Sequence, residues 1–145
     1  CRMKQKSIER FLKAQNATYY GYKQALAEIE NGRKVSHWIW FVFPQMKGLG
    51  HSRMSEFYGI ENWEEAEDYL LNYTLNDRIH EISNALLQHI GTPVNKIFGG
   101  IDALKVRSSM TLFDALSPND VFAKVLDAFF HSERDERTLE LLGEK

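Results

Sequence analysis

A chain of 145 residues, 43% hydrophobic and 26% charged with only three prolines, can bury one sizeable core without disulfides or metals. Its net charge of −2 argues against a dedicated nucleic-acid binder, which carries a clear basic excess. No apolar run reaches the ~20 residues of a membrane span, and the single cysteine, Cys1, excludes a disulfide framework and points to a reducing compartment.

Met3 reads as a natural start with Cys1-Arg2 foreign to it. Residues 1–6 are expected to be disordered or extraneous to a single domain spanning 1–145. Ser7 precedes Ile8-Glu9-Arg10-Phe11-Leu12 without the acidic residue of a full capping box. A helix is expected from Asn16 to Glu30, with Gly32 beyond it as a left-handed stop. Next comes Ser36-His37-Trp38-Ile39-Trp40-Phe41-Val42-Phe43-Pro44-Gln45, then Gly48-Leu49-Gly50. Aromatic rings bury roughly 150–250 Å² each, so this run lies in the core or forms the wall of a pocket. Trp38, Trp40, Val42 and Pro44 alternate as in a strand, while Phe41 and Phe43 fill the other face. A helix ended by Pro44 is favoured, because no second strand is evident to pair the backbone groups.

Asn62 before Trp63-Glu64-Glu65 is an N-cap signal with two acids in the first turn. From Thr74 to Ile90, the residues Leu75, Ile79, Ile82, Leu86 and Ile90 form one apolar stripe on a helix that Gly91 ends. Ser117-Pro118-Asn119 announces a further helix striped by Val121, Phe122, Val125, Leu126, Phe129 and Phe130. Neither region alternates with period two. The expected fold is all-α, a bundle of about seven helices around a buried aromatic segment.

Two stretches carry candidate chemistry. Lys105-Val106-Arg107-Ser108-Ser109-Met110-Thr111 sets two cations among three hydroxyls able to bond phosphate oxygens; the competing reading is a helix face whose hydroxyls bond back to their own carbonyls. Asn31-Gly32-Arg33-Lys34-Val35-Ser36-His37 leads from a glycine turn toward a helix start, where free N–H groups attract anions. One anion site would require Arg33 and Lys34 to converge on Lys105, Ser108, Ser109 and Thr111. His37, Glu65 and Asp102 are the catalytic candidates, although a histidine at an apolar edge is more often structural. Asp102 and Lys105, three apart, should meet on a helix surface. His37, His51, His80, His89 and His131 show no paired ligand spacing, so no metal is expected. There is no Gly-x-Ser-x-Gly elbow.

The run His37 to Gln45, with Gly48-Leu49-Gly50, Glu65-Ala66, Tyr69-Leu70, Ile97-Phe98-Gly99, Asp102 and Lys105, resembles one family closely. The match continues through Ser108-Ser109-Met110-Thr111-Leu112-Phe113 and Val125-Leu126-Asp127-Ala128-Phe129-Phe130. It is the bacterial and fungal family of domain of unknown function eighteen-ten, some of whose members are mislabelled calpastatin. The resemblance implies a compact all-helical fold, a cytoplasmic setting and no established activity. The mix of tryptophan, Glu-Ala and Met110-x-x-Phe113 also resembles helical proteins that process ADP-ribose derivatives.

Two functional readings follow. In the first, the protein binds or processes a phosphate-bearing nucleotide derivative of the ADP-ribose type, without a further cofactor. Trp38 and Trp40 stack a base, Gln45 and His37 contribute polar contacts, and Arg33, Lys34, Lys105 and the serines hold phosphate. In the second, it is a non-enzymatic interaction module whose aromatic run is plain core. A pocket joining His37, Gln45 and Ser108 would favour the first.

Overall fold

The computed structural model describes residues 8–143, so the expectations for Cys1 and residues 1–6 lie outside the described residues. The helix expected from Asn16 to Glu30 begins late, at Tyr22. α1 covers Glu9–Gln15 and α2 covers Tyr22–Glu30, with a tight reversal between them. A Cβ on Gly21 would lie 2.5 Å from the Ala17 carbonyl oxygen, and Tyr20 adopts a positive φ of 61°. Asn16, Thr18, Tyr19 and Tyr20 are weak helix formers, so nothing local resists this reversal. Gly32 stops α2 in the left-handed region, as read from the sequence, at φ 85°.

The aromatic run is helical before Pro44 as expected, but over a shorter span. Only Ile39–Val42 (α3) is helical, and Phe43 leaves the helix at φ −120° because it precedes a proline. The flanks are non-helical, yet several of their backbone groups are paired without a partner strand. The Lys34 N–H donates to the Ile97 carbonyl at 2.7 Å. Met46 and Ile60 form an isolated parallel bridge, in which the Ile60 N–H donates to Gln45 O and the Lys47 N–H to Ile60 O.

The chain continues through α4 (Arg53–Tyr58), α5 (Trp63–Leu71), α6 (Tyr73–Leu87), α7 (Val94–Phe98), α8 (Gly100–Leu116), α9 (Val121–Phe129) and α10 (Glu136–Leu142). That makes ten helices among the described residues, more than expected, because several are only one or two turns long and leave too little periodicity to read. Asn62 caps α5 as anticipated, its Oδ1 accepting the Glu65 N–H at 2.9 Å. Leu75, Ile79, Ile82 and Leu86 are buried along α6, whereas Ile90 lies past its end, exposed. The α9 stripe packs on both α6 and α8. A line of rings crosses the core from Phe11 to Tyr69 (5.1 Å), Phe113 (5.2 Å) and Phe122 (5.7 Å). No helix among the described residues is long and apolar enough to cross a membrane.

His80 ties α6 to the start of α9. Its Nδ1 lies 2.8 Å from the Asn76 carbonyl oxygen and its Nε2 2.9 Å from Asp120 Oδ2. Both partners accept only, so both ring nitrogens carry protons. Burial pushes the His80 pKa down, but the Asp120 and Asn76 bonds and the charges of Asp120 and Asp77 outweigh it and raise the value above 6.5. Asp120 moves the other way: burial raises it, while bonds from His80, Ser117 and the Val121 amide bring it below 3.8. The histidine's stabilisation is therefore complete below pH 6.5 and lost as pH rises through its folded pKa. The aspartate's is lost as pH falls below 3.8. Urea midpoints should be higher at about pH 5.5 than at about pH 8, and His80→Gln should remove most of that difference. An unchanged difference in the variant would exclude His80 as its source.

Candidate functional site

Over residues 33–38 exposure alternates residue by residue, and this decides which candidates meet. Arg33, Val35 and His37 are exposed, whereas Lys34, Ser36 and Trp38 turn inward. Glu28, buried on α2, imposes this course. Its carboxylate accepts the Val35 N–H (2.7 Å), the Ser36 N–H (2.9 Å), the Ser36 hydroxyl (2.6 Å), the Trp38 indole N–H (2.9 Å) and a Gln24 amide (2.8 Å). Burial alone would raise its pKa, but the bonds from Ser36, Gln24 and Val35 bring it down to about 2. An ionised glutamate thus replaces a partner strand for this loop.

Lys34 is carried beneath the surface by the same alternation. Its ammonium donates to the Ser36 carbonyl at 2.6 Å, meets Asp102 Oδ2 at 2.9 Å and sits 5.2 Å from the Trp38 ring centroid. Asp102 belongs to the first turn of α8. Three residues on, Lys105 approaches the other carboxylate oxygen at 3.5 Å and lies 5.4 Å over the Trp40 ring. Two cations therefore share one carboxylate, each over an indole face. Lys34 is sealed, its side chain only 7% exposed, while Lys105 is held more loosely and is 23% exposed.

Asp102, Lys105 and Ser109 lie at i, i+3 and i+7 and so share one stripe of α8. Ser109 is fully buried, and its hydroxyl has no hydrogen-bond partner among the described residues; the same holds for the buried Trp40 Nε1. α8 begins at Gly99-Gly100 with no side-chain cap, and both glycines face open space. This leaves the positive end of a 17-residue helix beside the two lysines.

The other candidates go elsewhere. Ser108 donates to the Leu104 carbonyl (3.1 Å) and Thr111 to that of Arg107 (2.8 Å), so their hydroxyls are engaged by their own helix. His37 borders a concavity of about 370 Å³ shared with Tyr20, Val35 and Ser36. Gln45 is buried beside the Gly50 turn, on the segment bridged to Ile60. Arg33 stays on the outer face with His37. The Glu65 carboxylate forms a buried pair with Arg10 at 2.6 Å and accepts the Glu61 N–H at 2.8 Å, which gives it a structural part. No hydrogen bond or ion pair joins His37, Glu65 and Asp102 to one another among the described residues. Among the described residues, no three His, Cys, Asp or Glu side chains gather as a metal set.

The profile of a family described as "Protein of unknown function (DUF1810)" matches residues 5–142. The chain belongs to this family. It is similar to a crystal structure, the conserved hypothetical protein Rv1873 from Mycobacterium tuberculosis, at 39% identity and a TM-score of 0.90. The alignment covers 96% of this chain and 98% of that one. No curated protein matches the chain.

Within this DUF1810 fold, two polar constructions escaped the sequence reading. Glu28 sits in an amphipathic helix where an acid reads as a solvent-facing residue. Arg10, flanked by Glu9 and Phe11, gave one usable signal: a cation inside an otherwise apolar turn needs a buried partner.

Proposed function

We propose that the protein binds a small phosphate-bearing ligand of the nucleotide type on the α8 stripe, with Lys105 as a displaceable cover over Trp40. The observation that carries this reading is the pair of polar atoms without partners, Trp40 Nε1 and Ser109 Oγ, beside a loosely held lysine on an indole face. Unsatisfied buried donors cost roughly 1–3 kcal/mol each, so a site that retains two of them is suited to an incoming partner. A flat base replaces the ammonium over Trp40, and the displaced Lys105 pairs with a phosphate oxygen. The uncapped start of α8 adds attraction for the same anion. Lys34 and Asp102 hold the geometry and do not move.

The bonding of Ser108 and Thr111 to their own helix favours the rival reading, an interaction module built on this core. A thermal-shift screen of ADP-ribose, mononucleotides and sugar phosphates separates the two. A ligand at a hundred times its dissociation constant stabilises by ~2.7 kcal/mol. For a domain of this size that raises the melting temperature by roughly 5–10 °C. Lys105→Ala should fold normally and lose most of the shift. No shift with any compound would support the interaction module, and a full shift in Lys105→Ala would move the ligand off this stripe.

A further inference from the structure

On the other side of α8 from Lys105, a second cavity of about 600 Å³ opens against the start of α10. Arg107 forms its floor, and the segment from Glu133 to Arg137, with Leu139, forms its walls. Arg134 is engaged, donating through Nε and Nη2 to Asp114 at 3.3 and 3.2 Å and through Nη1 to the Ser132 carbonyl at 2.9 Å. Arg107 is not. Its Nη1 stands 3.7 Å from Glu133 and its Nη2 3.5 Å from Asp135, while its buried Nε has no hydrogen-bond partner among the described residues. A guanidinium presents five donors in a planar fork that matches a carboxylate, and here none of those five has an acceptor at good distance on a side chain.

The acids around it are equally available. Glu133 is 71% exposed and Glu136 is exposed, whereas Asp135 uses one oxygen to cap α10, accepting the Thr138 N–H, and turns the other toward Arg107. The loop that delivers Glu133 holds two successive residues in the left-handed region, His131 (φ 55°) and Ser132 (φ 63°). Non-glycine residues in that region store strain that often marks ligand sites. A plain anion would meet carboxylates at the rim, and a plain cation would meet Arg107. A ligand bearing both charges meets neither difficulty.

We infer that this cavity takes a zwitterion of the α-amino-acid type. The ligand carboxylate enters the Arg107 fork in place of Glu133, its ammonium takes the released Glu133 and Asp135, and Leu139 lines the space for an aliphatic side chain. The loose Arg107–Glu133 pair is opened by a molecule that offers each half its opposite, so the net charge of the site is unchanged by the exchange.

The test is an NMR titration that follows the Arg107 Nε–H signal, with leucine, N-acetyl-leucine and leucinamide as probes. Leucine should bind saturably, and each derivative, lacking one charge, should bind at least about tenfold more weakly, equivalent to ~1.4 kcal/mol. Arg107→Lys keeps the charge and removes the fork, and should weaken leucine by a similar factor. Equal binding of all three probes, or no movement of the Arg107 signal at tens of millimolar leucine, would overturn the inference. Binding of N-acetyl-leucine alone would do so too, leaving a simple anion site.

Discussion

Glu65→Ala should destabilise the protein by about 3–5 kcal/mol, the largest single-residue effect the structure implies for a polar group. Arg10 and Glu65 are both buried and meet at 2.6 Å. Two further donors of Arg10 go to backbone: Nε to the Phe57 carbonyl at 2.7 Å and Nη2 to that of Gly59 at 2.9 Å. The pair therefore clamps α1 onto the end of α4 and the start of α5, and Glu65 also holds the Glu61 amide. Removing the carboxylate leaves a buried guanidinium charge and an orphaned N–H. Urea unfolding at neutral pH measures the loss, and a cost below about 1 kcal/mol would show that the pair is solvated. The double replacement Arg10→Met with Glu65→Leu should recover much of the deficit, because a buried pair exchanged for apolar groups of similar volume is often near neutral.

Trp38→Ala should cost a comparable ~3–5 kcal/mol, and Trp40→Ala clearly less. Trp38 is fully buried, with Phe43 at 6.3 Å and Phe98 at 6.5 Å, and its indole N–H is one of the bonds that orient Glu28. Truncation opens a cavity and weakens the loop that positions Lys34. Trp40 is only partly buried, and its N–H is bonded to nothing among the described residues. Equal losses for the two variants would contradict this asymmetry. The Glu28 carboxyl adds an acid signature: its pKa falls from 4.5 to about 2, so its contribution is complete above pH 4.5 and lost as pH falls toward 2. A shift of that size corresponds to on the order of 3 kcal/mol, which Glu28→Gln should remove from the acid limb of the stability profile.

The parts of the fold that were legible in the sequence depend on neighbours close in the chain. The Gly32 stop, the Asn62 cap and the stripe from Leu75 to Leu86 each follow from spacings of one to four residues. The break between Gln15 and Tyr22 was not legible, because it rests on a positive φ at Tyr20 and on the Ala17 carbonyl closing over Gly21. The non-helical flanks of the aromatic run were not legible for a related reason. The partners that satisfy them are a glutamate side chain, the Ile97 carbonyl and Ile60, none of which looks like a strand. At the site, Lys34 approaches Lys105 through Asp102, which is only part of the convergence expected of the two basic segments. Arg33 is left exposed by the residue-by-residue alternation of this loop, a geometry that residue type alone does not reveal.

The three indole N–H groups offer the most direct test of the proposed site. Trp38 donates to Glu28, while Trp40 and Trp63 have no partner among the described residues. In an ¹⁵N-correlated spectrum, titration with ADP-ribose or whichever nucleotide leads the thermal screen should move the Trp40 indole signal saturably. The Trp38 signal should stay near its starting position, and Lys105→Ala should weaken the response. A ligand that shifts the melting temperature while the Trp40 signal stays fixed would contradict the account.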